Sequence, residues 1–188
     1  MPKVSPERLE ATRRRVLDGA RRAFASNGYE GATVRRLEEE TGLSRGAIFH
    51  HFADKDALFL ALAEEDAEEV ATLVDDFGLV GAMQKMRDKD AGWLGVQLEV
   101  SRRVRTDPAF AALWAHHLRS ITRATQARLA RQRDAGVVRE DVPVETLAAF
   151  LLLVYDGLVA PLATGMPVQH LDAILDLVEE SVRDTPQV

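Results

Sequence analysis

Cysteine is missing from all 188 residues, so neither a disulfide framework nor a thiolate metal site can be built. Aromatic residues are scarce at 6%, which leaves aliphatic side chains to supply most of the 46% hydrophobic content that forms a core. Strand signals are absent as well. No sustained period-two alternation runs along the chain, and Asp156-Gly157 falls inside a helical pattern rather than between β-branched segments. The opening stretch MPKVSPERLEATRRR has no apolar core of the signal-peptide kind, so a cytoplasmic protein is expected. The most apolar run, Leu147 to Ala163, is interrupted by Asp156, Gly157 and Pro161. A membrane span needs about 20 apolar residues without a central charge, so a buried helix is expected there and no membrane partner. No HExxH motif, phosphate-binding glycine loop or nucleophile–base pair is found, which argues against an enzyme.

The net charge of −6 would by itself disfavour a nucleic-acid partner, but the charge is unevenly spread. Residues 1–52 hold ten Lys/Arg against seven Asp/Glu, a local +3, which leaves −9 on the remainder. Arg13, Arg14, Arg15, Arg21 and Arg22 lie in this basic part. Phosphate contacts require only a local cationic face. The same arginines also suit an ordinary solvated helix surface.

The segment TVRRLEEETGLSRGAIFHHFADK, from Thr33 to Lys55, is the most informative. Thr33 is placed to cap a helix ahead of Val34, Leu37 and Glu38–Glu40, and Gly42 to end it in a left-handed conformation. Leu43 fills the turn, Ser44 caps a second helix, and Arg45–His51 gives that helix two turns. Two short helices across a glycine turn form a helix-turn-helix whose second member fits a major groove. Arg45, Gly46, Phe49 and His50 would then face the DNA, with Arg45 and His50 at base edges. Thr33, Arg35, Arg36, Ser44 and Lys55 would position the phosphate backbone of a double-stranded operator.

The rest of the chain also reads as helix. A first helix is expected from Ser5-Pro6 to Asn27, stopped by Gly28, and a fourth from about Lys55 to Val74. Gly78, Gly81 and Gly92 break the next stretch, and further helices are expected near Trp93–Arg105, Pro108–Arg133, Pro143–Ala163 and Pro167–Arg183. The expected fold is all-α with about nine helices. A three-helix head, residues 1–53, carries the helix-turn-helix, and residues 54–188 form a helical effector-binding and dimerisation domain.

Two late stripes, Leu147/Phe150/Leu151/Val154/Leu158 and Leu171/Ile174/Leu175/Val178/Val182, either complete the monomer core or pack against a second copy. Polar residues stranded on apolar faces mark candidate ligand contacts. Phe110, Trp114, Ile121 and Arg128 share a face, because eighteen residues make about five helical turns. Arg128 therefore has either a structural partner or a carboxylate or phosphate ligand. Glu179 sits between Leu175 and Val182, Arg102 follows the Leu94–Leu98 stripe, and Glu99 neighbours Val96. His116 and His117 point about 100° apart on a helix and cannot share one metal from adjacent positions. A metal-dependent enzyme built on Glu99 and Glu179, or an architectural DNA-binding dimer without a ligand, remain as alternative readings.

Phe24, Gly28, Tyr29, Gly31, Thr33, Val34, Gly42, Ser44, Gly46, Phe49, His51, Phe52, Lys55 and Leu58 form an ordered set. In that set the chain resembles the TetR family of bacterial transcriptional regulators, with Phe49 standing where the family more often carries tyrosine. The resemblance implies a repressor rather than an enzyme, an operator-binding homodimer paired through the last two helices, and a small-molecule effector. GATVRRLEEETGLSRGAIFHHF, Val104–Pro108 and LDLVEESVR are further similar to actinobacterial repressors of the aconitase gene, which respond to magnesium–citrate. On that likeness Arg128 would bind a citrate carboxylate and Glu179 would face the metal or its water shell. The stranded charges add Glu99 and Arg102 to the expected polar lining, although Arg102-Arg103 departs from those repressors.

Overall fold

A computed structural model describes residues 5–87 and 91–184; the side chain of His117 lies outside the described residues. The described residues contain nine helices: α1 Pro6–Gly31, α2 Val34–Thr41, α3 Arg45–His51, α4 Lys55–Met86, α5 Ala91–Glu99, α6 Ser101–Thr106, α7 Pro108–Asp134, α8 Val144–Ala163 and α9 Leu171–Val182. Strands are absent from this set, and a single antiparallel bridge joins Val138 to Arg183.

Local chemistry sets most of the boundaries. Ser5, Thr33, Ser44 and Asp54 each accept a hydrogen bond from the backbone N–H three residues on, at Arg8, Arg36, Ala47 and Ala57. Such caps are each worth about 1 kcal/mol. Gly42 ends α2 at φ 64°, with its N–H on the Glu38 carbonyl. The next free carbonyls are taken by α1: Arg22 donates to Glu40 O at 2.8 Å and Arg15 to Thr41 O at 2.8 Å. Arg15 and Arg22, both from the basic part of the head, therefore finish a neighbouring helix.

Several boundaries differ from the sequence reading: α1 kinks at Gly28 but runs on to Gly31, and Gly81 and Gly92 lie inside α4 and α5 rather than between helices. The helix expected to end at Val74 continues to Phe77, where Gly78 at φ 78° kinks α4, and a second stretch runs on to Met86. The single helix expected over Trp93–Arg105 is divided at Val100 into α5 and α6, although the Val100 and Val104 N–H groups still bond the Val96 and Val100 carbonyls across the division. The last helix begins at Leu171 rather than Pro167 because His170 takes the left-handed conformation, φ 58°.

One apolar cluster unites α1, α2 and α3 with the first turns of α4 and with α5. It holds Phe24, Leu37, Ile48, Phe59, Leu62, Trp93, Val96 and Phe110. A second joins α4, α7, α8 and α9 through Val74, Met83, Ile121, Leu129, Leu147, Leu151, Leu175 and Val178. Apolar contact is therefore continuous across the expected boundary at residues 53/54.

The two late stripes divide in a way that periodicity could not settle. Leu147, Leu151 and Leu158 of α8 and Leu171, Leu175, Val178 and Val182 of α9 enter the core of the same chain. Phe150 and Ile174 are left outside, beside Leu153 and Leu177, which belong to neither stripe and are 73% and 65% exposed. By length and composition α8 would pass for a membrane span, with mean hydropathy 1.9, yet it is only 28% buried. The helix expected to be buried thus keeps an uncovered apolar face.

α1 and α2 approach closely at a residue that sequence reasoning passed over. A Cβ on Gly19 would lie 2.6 Å from Thr41 Cγ2 and 2.8 Å from Thr41 Cα. Backbone cannot yield as a flexible side chain can, so Gly19→Ala should destabilise the fold by roughly 1–3 kcal/mol. The expected result is a lower urea midpoint at unchanged m value.

Candidate DNA interface and effector cavity

α3 is pinned from beneath by Ile48 and Phe52, both buried in the head core. That leaves Arg45, Gly46 and His50 exposed, with Phe49 half-buried beside them. The nearest atom to a Cβ built on Gly46 is Ser44 Oγ at 4.0 Å, so another backbone can approach there closely. The start of α3 has a cap that the sequence reading missed. Besides Ser44, Glu38 Oε1 accepts from the Arg45 N–H at 2.7 Å and so fixes α3 to α2. Thr33 and Ser44 are both exposed helix N-caps. Arg36 is exposed, and Arg35 pairs with Glu39 at 2.9 Å on an open surface, a contact cheaply given up.

Lys55 is held rather than free. Its Nζ donates to the Tyr29 carbonyl at 3.0 Å and sits 4.5 Å above the Tyr29 ring. Tyr29 is the hub of a larger network. Its hydroxyl hydrogen-bonds to Asp56 and receives Arg103 Nη1 at 2.6 Å. Arg103 forks the Asp56 carboxylate, Nη1 to Oδ1 and Nη2 to Oδ2, both at 2.6 Å. The Arg103 hydrogen bonds, foremost, hold the Asp56 carboxyl below the usual carboxylate range. Burial first, and Asp56 second, push the Tyr29 phenol well above its ordinary value.

Glu99 and Arg102 are not brought to Arg128 and Glu179. Glu99 accepts the Tyr29 N–H at 2.8 Å, and its Oε2 lies 2.6 Å from where a Gly28 Cβ would stand. It therefore serves the Gly28 break at the end of α1. Arg102 is exposed on an open cleft of about 560 Å³ beside Glu30 and Thr106. Arg103 continues the buried stripe of Trp93, Val96 and Val100 at helical spacing, whereas Leu98, on the stripe that pointed to Arg102, is 36% exposed; the sequence reading followed the wrong stripe.

Arg128 and Glu179 do share one cavity, without bonding each other. They line a cavity of about 120 Å³ with Phe77, Gly78, Thr125 and Leu151. Gly78 makes the place twice over. Its break leaves the Asp75 carbonyl free, which accepts from Arg128 Nη1, and its missing side chain lets Arg128 Nε within 3.3 Å of the Cβ position. Arg128 Nε is buried with no hydrogen-bond partner. Arg133 Nε is also unpaired, but the Arg133 guanidinium holds the Arg139 and Val142 carbonyls through Nη2 in the turn before α8. Glu179, half-buried, bonds Arg183 one turn on. Among the described residues no group of three or more His, Asp or Glu could enclose a metal.

A second cavity of about 220 Å³ lies among α4, α5, α7 and α8, lined by Asp66, Gln97, Trp114, Tyr155 and Asp156. Asp66 is 3% exposed; it binds Arg21 of α1 at 2.8 Å and accepts from the Trp93 indole N–H of α5. Sequence reasoning missed Asp66, although Leu62 and Val70 flank it one turn away on either side.

These placements divide the charged residues into a DNA-side network around Tyr29 and a separate polar cavity behind Gly78. The Asp56 shift has a definite sign. A carboxyl with a depressed folded pKa stabilises fully above its unfolded value, near about 4, and loses that contribution as pH falls through the folded value. Asp56→Asn should therefore lower stability at neutral pH and narrow the gap to the unmodified protein below about pH 4, read as urea midpoints across pH.

Residues 16–62 match the family described as "Bacterial regulatory proteins, tetR family". The HTH-type transcriptional repressor Rv1474c of Mycobacterium tuberculosis is 54% identical over 185 residues, 97% of this chain and 99% of that protein. The HTH-type transcriptional repressor AcnR of Corynebacterium glutamicum is 52% identical over 174 residues, 92% of this chain and 93% of that protein. Among solved structures, Salmonella enterica GusR superposes with a TM-score of 0.76 over 96% of this chain and 98% of its own, at 24% identity, a likeness of fold.

Proposed function

The chain belongs to the TetR family of bacterial regulatory proteins, and from that premise we propose that it represses aconitase expression and releases its operator when citrate with Mg²⁺ occupies the body. It is a DNA-binding transcriptional repressor and not an enzyme. The effector reading rests on Arg128. A guanidinium N–H buried without a partner is costly, and a carboxylate arriving in the same cavity would satisfy it in the forked geometry arginine favours. Glu179 supplies a single carboxylate there, too little to hold a metal alone. That donor set suits Mg²⁺ brought in by a polycarboxylate, since Mg²⁺ prefers hard oxygen ligands and keeps several waters. Arg128 also grips Asp75 at the α4 kink, so a ligand competing for its guanidinium acts on the helix whose first turn carries Lys55.

For operator recognition, Arg45 and His50 face base edges and Gly46 permits close approach. Thr33, Arg35, Arg36, Ser44 and Lys55 surround them as backbone contacts, with Phe49 packed at the margin. Two copies read a palindrome when their recognition helices stand one or more helical turns apart, about 34–36 Å each. The uncovered apolar face of Phe150, Leu153, Ile174 and Leu177 supports pairing through α8 and α9. Leu151, by contrast, is only 3% exposed and packs inside its own chain, so a charge there would damage the monomer core rather than report on pairing.

Calorimetry tests the effector. The unmodified protein should show saturable heat with millimolar citrate and Mg²⁺. Arg128→Ala should lose that heat and the citrate response while keeping operator affinity; absence of heat in the unmodified protein would exclude this ligand. Pairing is tested separately. A charge placed at the seam would bury without a partner and cost several kcal/mol. Leu153→Glu should therefore shift light scattering from dimer to monomer with little loss of helical signal.

A further inference from the structure

We propose that Arg103 is a positioning residue for DNA binding, which sets where Lys55 and the start of α4 stand relative to α3. Arg103 belongs to α6, on the body side, meets the head at Tyr29, and reaches Lys55 only through Tyr29 and Asp56. Its two terminal nitrogens hold both oxygens of Asp56, the residue after Lys55. The same guanidinium holds the Tyr29 hydroxyl, while Tyr29 supports Lys55 with its carbonyl and ring face. Asp56 and Tyr29, which flank and support Lys55, are therefore held by one planar group; the other contact of Lys55 is a looser ion pair with the exposed Glu30 at 3.8 Å.

That group has little freedom to move. It lies 4.3 Å over the Phe110 ring and 5.5 Å over the Tyr29 ring. Its Nη2 also reaches Asp107 at 3.4 Å, and the Asp107 carboxylate in turn caps α7 by accepting from the Ala109 and Phe110 N–H groups. Glu99 of α5 grips the Tyr29 backbone from the other side. Tyr29 leads directly into α2, so its position governs where α2 and α3 sit. Fork geometry rather than charge does this work, and lysine cannot reproduce it.

Partly exposed ion pairs contribute little to stability, and Arg103 and Asp56 retain 29% and 38% side-chain exposure. Loss of the fork should therefore weaken DNA binding far more than folding. The probe is a duplex selected by the unmodified protein from a random library, with binding followed by fluorescence anisotropy across a salt series.

Arg103→Ala should lower affinity about tenfold, inside the range usual for coupled sites. It should also reduce the salt slope by about one, as the loss of a phosphate contact does. Adding Lys55→Ala to Arg103→Ala should cost little more, because both act through one contact. Asp56→Asn leaves the arginine charge in place and should weaken binding as Arg103→Ala does. Arg103→Lys should also bind weakly, and with Asp56→Asn it carries the test if the alanine variant fails to fold. Unchanged affinity in Arg103→Ala or Arg103→Lys would overturn the proposal. So would additive losses with Lys55→Ala, or binding by Asp56→Asn as tight as the unmodified protein; the last two would mean that Arg103 touches DNA itself.

Discussion

Phe59 on the second turn of α4 is the contact on which the arrangement of head and body rests. Its ring meets Phe24 of α1 at 5.5 Å, Tyr29 at 5.2 Å, Trp93 of α5 at 5.8 Å and Trp114 of α7 at 5.8 Å. The chain has few aromatics, and five of them are spent at this junction. Packed rings are worth more than their buried area alone, and close packing transmits displacement instead of absorbing it. The helix-turn-helix head is bedded on the body in this way.

Around that apolar joint the polar links are arranged as a shell. Asp66 ties Arg21 to Trp93 on one side, and Arg103 ties Asp56 to Tyr29 on the other. Each joins a head residue to a body residue by a charge-assisted hydrogen bond, whose directionality fixes an angle where apolar contact fixes only a distance. Three of the nine arginines in the basic head have internal duties: Arg15 and Arg22 close α2, and Arg21 anchors α1. The cationic face toward DNA is accordingly narrower than the local charge count suggests.

Glycine shapes both functional regions by ending helices inside the fold. Gly28 opens the place where Glu99 reaches the Tyr29 N–H, and Gly78 opens the place where Arg128 reaches the Asp75 carbonyl. Positive φ at these residues comes cheaply only without a side chain. The absent Cβ also leaves room for the incoming polar group in each case.

What the sequence alone determined was local: the all-helical fold, the caps at Thr33, Ser44 and Asp54, the Gly42 stop, the two-turn recognition helix, and the shared face of Phe110, Ile121 and Arg128. Each depends on contacts within a few residues, whose rules are read directly from spacing. Only the tertiary structure decided that Arg103 rather than Arg102 turns inward, that Glu99 serves Tyr29 rather than Arg128, and that Leu151 lies inside while Leu153 lies outside. Trp93, Val96 and Val100 mark one stripe and Leu94 and Leu98 its neighbour, and only packing decides that Arg103, which continues the first, turns inward while Leu98 stays 36% exposed. An apolar stripe, moreover, carries no mark of whether its partner belongs to the same chain. Those outcomes are set by which helices pack together, and that information is distributed over the whole chain.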